Sequence, residues 1–301
     1  MHADELDIDR ALVGRLVATQ FPQWADLPIE PVRARGTDNA LYRLGDDLVA
    51  RLPTRPATRG TREKGRRWLP RLAPLLPLAV PLPVADGLPG EGYPSAWSVY
   101  RWLPGETATV EPISDLDRAA TDLAQFIAAL QGVDPSDGPR PGEHNGFRGE
   151  PLAARDAEVR SSIDALAGEI DVGVVTAAWE SALRAPSWRR PPVWIHGDLD
   201  SRNLLVVEGR LSGVIDFDCL GVGDPACDVM VAWKVLSADT RDSFRAALSV
   251  DDATWARSRG WALSQALGAL AYYTLETNPV LVLESRRWMS EVLADHASAP
   301  R

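Results

Sequence analysis

Residues 194–206, WIHGDLDSRNLLV, and residues 213–218, GVIDFD, decide how this chain folds. The first stretch sets His196, Asp198, Asp200 and Asn203 between the apolar runs Val193-Trp194-Ile195 and Leu204-Leu205-Val206-Val207. Two strands can be joined by a two-residue turn such as Asn-Gly, so a longer loop crowded with carboxylates points to a chemical task. Beyond it, NLLVV and LSGVI are separated by Glu208-Gly209-Arg210 and form a hairpin that returns Asp216 to the side of Asn203. An amide oxygen beside a carboxylate is a hard, oxygen-rich site suited to Mg²⁺, which keeps several waters and favours phosphate as its remaining ligand. Asp198, five residues before Asn203, can accept the proton of a hydroxyl. A proton acceptor next to two metal ligands is the equipment of phosphoryl transfer.

Composition sets the outer limits. The 301 residues reach the size, about 250–300, at which single cores stop growing, so two lobes are expected. Hydrophobic residues at 45% and charged residues at 25% describe a globular chain. A net charge of −10 and a pI near 5.0 exclude a general nucleic-acid binder, because phosphate backbones are held by clustered Lys and Arg. That charge is compatible with a cationic small-molecule partner, and it also serves solubility. Of the 32 basic residues, only Lys64 and Lys234 are lysines. Cys219 and Cys227, the only cysteines, are too few for a disulfide framework and are expected as inert thiols in a reducing cytosol. The acidic start MHADELDIDR has no apolar leader core, and no window approaches the ~18 apolar residues of a membrane span. A cytoplasmic protein with neither membrane nor nucleic-acid partners is expected.

Along the chain, Ile8, Leu12, Leu16 and Val17 recur at helical spacing behind Asp caps. ALYRLGDDLVARLP predicts an antiparallel hairpin with strands near 40–44 and 48–52, and residues 59–72 predict a helix. LPLAVPLPVADG and WSVYRW read as short extended pieces ended by Pro104-Gly105. Ser114 with Asp117 resembles a capping box for a helix carrying Leu116, Leu123, Phe126, Ile127 and Leu130 on one face. The segment DPSDGPRPGEHNGFRGEP is a long loop, of a length that is either mobile or functional. Helical patterns dominate the remainder.

Asp198, Asn203 and Asp216 resemble the protein-kinase set of a catalytic-loop aspartate, an asparagine five residues later and a metal-binding aspartate before phenylalanine. More closely, HGDLDSRNLLV followed by GVIDFDCLGVGDPACDVMVAW resembles the aminoglycoside phosphotransferase family, kinase-like enzymes that phosphorylate small molecules, with macrolide phosphotransferases as similar relatives. The likeness extends less strictly over GTDNALYRLGDDLVARLP, YPSAWSVYRWLPGE and RGWALSQALGALAYYTLETNP. It implies an α+β, protein-kinase-like two-lobed fold. Residues 1–103 would form a small antiparallel-sheet N-terminal lobe with a leading helix, which binds the nucleotide. Residues 104–301 would form a larger, mainly helical C-terminal lobe, which holds the catalytic and acceptor sites. The implied activity is Mg²⁺-dependent transfer of the γ-phosphate of ATP or GTP to a hydroxyl, with Asp198 catalytic and Asn203 and Asp216 on the metal. The implied acceptor is an aminoglycoside or another hydroxyl-bearing antibiotic. A macrolide or a housekeeping metabolite such as a sugar or amino alcohol is the alternative within enzymes, and a nucleotide-binding pseudoenzyme is the alternative outside them.

Further roles follow from the same resemblance. Gly36, Asp38 and Asn39 are placed at the nucleotide phosphates, and Arg51 stands where the family has a strand lysine for the α- and β-phosphates. The helix glutamate that orients that cation is absent at Gly65. Glu63 is offered as its substitute, and a glutamate restored at 65 would tighten nucleotide binding if that position faces the phosphates. Backbone groups of Tyr100, Trp102 and Leu103 are expected at the base edge. Asp218 is open to a second-metal role or a structural one. His196 is expected to organise its loop, and Asp224-Pro225 and Asp228 to serve a helix start. Asp200 and Glu276 are the candidate contacts to a cationic acceptor.

Overall fold

Asp9 opens the first helix: its Oδ1 accepts the Leu12 N–H at 2.7 Å, and Leu12, Val13, Leu16 and Val17 turn one face of α1 (Arg10–Gln20) inward. The computed structural model describes residues 6, 8–32, 39–54 and 60–298, so Gly36 and Asp38 lie outside the described residues. Strands β1 (Ile29–Pro31), β2 (Asn39–Leu44) and β3 (Leu48–Pro53) precede helix α2 (Gly60–Leu72), and β4 (Pro83–Gly87) and β5 (Trp97–Arg101) follow it. They form one antiparallel sheet in the order β1-β2-β3-β5-β4. The inner face of α1 packs with Ile29, Leu44, Ala50, Leu52, Trp97 and Val99 as a core of its own. Trp68, Leu69 and Leu72 of α2 belong instead to the larger core of the C-terminal helices, where Trp68 meets Trp194 edge-on at 4.8 Å.

The remaining elements are β6 (Glu106–Thr107), α3 (Leu116–Gln131), α4 (Asp156–Ala165), α5 (Val172–Leu183), β7 (Val193–Ile195), β8 (Leu204–Val207), β9 (Arg210–Val214), β10 (Gly221–Gly223), α6 (Ala226–Val229), α7 (Val231–Lys234), α8 (Ala238–Ala247), α9 (Asp252–Tyr272) and α10 (Pro279–Ser298). The fold is α+β and kinase-like, a small antiparallel sheet with a larger helical part. Helix α9, buried on most sides, is the post against which α4, α5, α6 and α10 pack. No helix among the described residues is long and apolar enough to cross a membrane.

Two details differ from the sequence reading. Helix α3 is capped by Asp115, whose Oδ1 accepts the Arg118 N–H at 2.9 Å, while Ser114 Oγ donates to Gly209 O at 3.0 Å. Ser114 stands one residue too early to cap because it anchors the neighbouring hairpin. The long loop 134–151 is framework: Pro139 O accepts from Val222 N and Gly149 O from Asp224 N, both at 2.9 Å, so the loop braces β10 and the turn after it.

The hairpin of β8 and β9 positions the chemistry. Its turn, Glu208-Gly209, has φ of 52° and 74°, the left-handed pair that matches strand twist and that glycine adopts without strain. Strand β6 pairs with β8 on one side, and Ala79 bridges Gly213 on the other, with Val214 N donating to Ala79 O at 2.8 Å.

Candidate active site

The loop between β7 and β8 is tied down from below. Asp228 is fully buried, and its two oxygens accept the His196 and Gly197 N–H groups at 2.7 Å each. Burial pushes the Asp228 carboxyl up from its ordinary pKa, against the pull of His196 and those two donors. The sequence reading gave Asp228 only to a helix start; the structure makes it the peg of the loop. The buried His196 ring donates from Nε2 to Ile215 O at 3.0 Å and accepts the Asp198 N–H at Nδ1 at 3.2 Å, an assignment that follows from the two partners. Its edge packs on Phe217 at 4.5 Å. His196 therefore organises the loop, as its sequence suggested.

Asp198 is left 25% exposed at the loop's open side. Asn203 Nδ2 donates to Asp198 O at 2.8 Å and approaches Asp198 Oδ2 at 3.3 Å, so the amide is oriented and its Oδ1 is the atom available to a ligand. The Ile215 N–H donates to Asn203 O at 2.9 Å, which brings the end of β9 against the loop. Asp216 then takes φ 64° and ψ 64°, a left-handed conformation uncommon outside glycine, and its carboxylate is 46% exposed. An amide oxygen and an accessible carboxylate, fixed by one hairpin, fit a hard divalent cation.

Arg51 on β3 reaches across to this carboxylate. Its Nη2 lies 3.4 Å from Asp216 Oδ1 and 2.5 Å from Asp218 Oδ2. With the Asn39 amide oxygen facing it, Arg51 Nε and Nη2 also donate to Asn39 at 3.1 and 2.9 Å. Burial works against the charged guanidinium, but Asp218 and Asp216 outweigh it and hold the Arg51 pKa above its ordinary value. Burial raises the Asp218 carboxyl in turn, opposed chiefly by Arg51.

Glu63 does not serve Arg51: it is exposed on α2 and makes no ion pair among the described residues. Position 65 lies against Tyr100, whose phenol is itself among the groups that act on Arg51. A Cβ at Gly65 would come 3.0 Å from the Tyr100 hydroxyl, so a longer side chain there would have to displace the tyrosine. Lys64 between them is buried, and its ammonium donates to His144 O at 2.8 Å and Asp218 O at 2.6 Å, pinning α2 to the loop after Asp216. Burial lowers the Lys64 pKa, with Cys219 and Asp218 opposing it. The Cys219 thiol is itself pushed up to about 12 by burial, with Asp198 adding to the shift, which keeps it inert as expected.

The base-edge expectation narrows. Tyr100 lies within β5, flanked by β3 and β4, and the Trp102 N–H is engaged by Asp47 O at 2.8 Å while its ring stacks under Arg43 at 5.1 Å. Trp102 and Leu103 both lie beyond the end of β5, and the Trp102 N–H is already engaged, which leaves the Leu103 backbone as the donor to test at the base edge.

Asp200 is corrected as an acceptor contact. It has no exposed surface, accepts from Arg202 Nε at 3.1 Å and Nη2 at 2.6 Å, and lies 3.1 Å from Lys234 Nζ. Burial works to raise its pKa, but Lys234 and Arg202 prevail and hold it well below the carboxylate range. Glu276 sits exposed in the turn between α9 and α10, where its N–H donates to Thr274 Oγ1. The carboxylate that α10 brings against the catalytic loop is Glu284, which accepts from Ser201 Oγ at 3.3 Å and Arg287 Nη2 at 3.0 Å. Sequence reasoning missed Glu284, Lys234 and Arg148, whose Nε donates to Gly197 O at 3.1 Å. Lys234 carried a signal, being one of two lysines among 32 basic residues.

A kinase-like fold that converges an aspartate, an asparagine and a second aspartate on one open cleft defines a phosphotransferase. The sequence profile of the phosphotransferase enzyme family matches residues 29–261, and the chain belongs to that family. Among solved structures it is similar to the GDP complex of wild-type aminoglycoside 2'-phosphotransferase-IIIa, at TM-score 0.71 and 19% identity over 96% of this chain and 100% of that one. It is also similar to the apoenzyme of macrolide 2'-phosphotransferase MphH from Brachybacterium faecium, at TM-score 0.60 and 22% identity over 97% of this chain and 99% of that one. A curated relative, aminoglycoside 3'-phosphotransferase from Escherichia coli, is 40% identical over 58 residues, which is 19% of this chain and 21% of the relative's length.

Proposed function

We propose that the enzyme transfers the γ-phosphate of ATP or GTP to a hydroxyl of a small molecule in a Mg²⁺-dependent reaction, with residues 1–103 binding the nucleotide and 104–301 the acceptor. The observation that carries this reading is the convergence of Asp198, Asn203 and Asp216 around one cleft, with Arg51 reaching in from the sheet. Asn203 Oδ1 and the Asp216 carboxylate would hold the metal ion, which when bound offsets the charge of the phosphate oxygens. Asp198 accepts a hydrogen bond from the acceptor hydroxyl, aligns its oxygen and takes up its proton as the new O–P bond forms and the bond from the γ-phosphorus to the β-γ bridging oxygen breaks, releasing the nucleoside diphosphate. Arg51 holds the α- and β-phosphates of the nucleotide by a charge-assisted contact that Lys cannot reproduce with the same fork. Asn39, which faces Arg51, would lie on the phosphate side, and Leu103 would offer its backbone to the base. Two free, inert thiols are in keeping with work in the cytoplasm.

An aminoglycoside or related antibiotic is the first acceptor to test. One observation favours a less cationic one, such as a macrolide or a sugar. Two carboxylates beside this loop already have cations, Asp200 with Arg202 and Lys234, and Glu284 with Arg287. The test is a panel of aminoglycosides, macrolides and simple polyols with ATP or GTP and Mg²⁺, read as the mass gain of one phosphate. No gain on any of them, with nucleotide bound by calorimetry, would leave a nucleotide-binding pseudoenzyme.

A further inference from the structure

Lys234, the last residue of α7, has no exposed surface and gathers three elements around its ammonium. Gln265 Oε1 on α9 accepts from Nζ at 2.7 Å, Asp200 Oδ2 lies at 3.1 Å, and the Trp288 ring of α10 lies 4.3 Å below. The Lys234 carbonyl is held in turn by Arg287 and by Trp288 Nε1. Its remaining neighbour is Asp198 Oδ1, at 3.8 Å. Arg202 mirrors it from the other side, bound to both oxygens of Asp200 and 3.9 Å from Asp198 Oδ2.

Charge balance separates a structural role from a functional one. Arg202 supplies one positive charge to Asp200 through a two-point contact, so the nearby Lys234, at 3.1 Å, adds a second cation to a single anion. A fully buried ammonium is costly unless matched by a counter-charge. Among the described residues the carboxylates within ion-pair distance of Lys234 are Asp198 and Asp200. The two cations and two anions sum to zero only when Asp198 is counted as the counterion of Lys234.

We infer that Lys234 is a positioning residue: anchored by Asp200, Gln265 and Trp288, it and Arg202 each face one oxygen of Asp198 and fix the carboxylate toward the acceptor hydroxyl. The inference rests on Asp198 as the proton acceptor, and it gives α9 and α10 a physical connection to that group. Asp200 becomes the shared anchor of the two cations.

Two double-mutant cycles on the full-length enzyme test this, using Lys234→Met, Asp198→Asn and the pair. In the kinetic cycle, with active sites counted by nucleotide-binding stoichiometry, Lys234→Met lowers kcat at least ten-fold and leaves nucleotide KM within two-fold. In the Asp198→Asn background it lowers the residual rate by less than two-fold. Lys234→Arg, which keeps the charge, recovers part of the lost kcat. In the melting cycle, Asp198→Asn leaves Lys234 short of its counterion, and adding Lys234→Met costs less than it does in the parent. Additive losses in either cycle overturn the inference. A parent that binds nucleotide but transfers no phosphate would sink the proposed reaction, while the melting cycle would still decide whether Lys234 and Asp198 are partners.

Discussion

Arg51 and Asp218 meet at 2.5 Å, one from the central strand β3 of the sheet and one from the loop after β9. Where relatives would be expected to steer the strand cation from α2, this chain pairs it with a carboxylate of the loop after β9. Arg51→Ala should therefore raise nucleotide KM and lower kcat together, and Arg51→Lys should fall between, since it keeps the charge but not the fork. Asp218→Asn should raise nucleotide KM in the same direction. Unchanged KM in Asp218→Asn would show that Arg51 needs no such guide.

Gly65→Glu separates the two ways of orienting Arg51. The new side chain meets the Tyr100 hydroxyl 3.0 Å from its first carbon, inside a packed region. A lower Tm and no gain in nucleotide affinity are expected. Tighter binding at unchanged Tm would place residue 65 at the phosphates after all.

Asp198→Asn should reduce turnover by about 10²–10⁴-fold with nucleotide affinity retained, the usual size of effect for a lost general base. The measurement is kcat beside a calorimetric Kd. Turnover near that of the parent would remove Asp198 from the mechanism.

Asp216 combines the proposed ligand role with a left-handed backbone, and two substitutions divide them. Asp216→Ala and Asp216→Gly should both abolish Mg²⁺-dependent nucleotide binding. The glycine variant should melt higher than the alanine variant by about 2–4 °C, because a left-handed conformation costs a residue with a Cβ roughly 1 kcal/mol. Equal melting temperatures would mean that the turn carries no such strain.

Acid stability should report on Asp200. Its carboxyl is held below the ordinary range in the folded chain, so the stability it contributes is full above the unfolded value, about 3.9, and is lost as pH falls below it. Asp200→Asn leaves the buried Lys234 and the part-exposed Arg202 less matched and should cost about 3–5 kcal/mol near neutrality. The gap in Tm between parent and variant should shrink as pH drops from roughly 5 toward 3. A gap independent of pH would mean that Asp200 gives shape and not charge.

The catalytic loop and the hairpin were legible because their spacing is local. Asn203 and Asp216 are joined by a turn whose Gly209 announces itself, and alternation in ALYRLGDDLVARLP marked β2 and β3 within a residue of their observed ends. What escaped depends on contacts distant in sequence. Asp228 reaches back to His196, Lys234 to Asp200 and Asp218 to Arg51, separations of 32, 34 and 167 residues that no periodicity encodes. Asp200 misled for a physical reason: a carboxylate in a polar loop reads as accessible, and only the packed chain shows two cations closing over it.

Neither lysine side chain is at the surface, and this makes the protein its own reporter of breathing. An amine-directed acylating reagent must wait until local opening exposes the ammonium, so its labelling rate measures the free energy of that opening. Lys64 would time the separation of α2 from the loop after Asp216, and Lys234 the separation of α9 and α10 from the catalytic loop. Two clocks, read by mass from one sample, would therefore tell which side of the cleft loosens first and which side each bound molecule quiets.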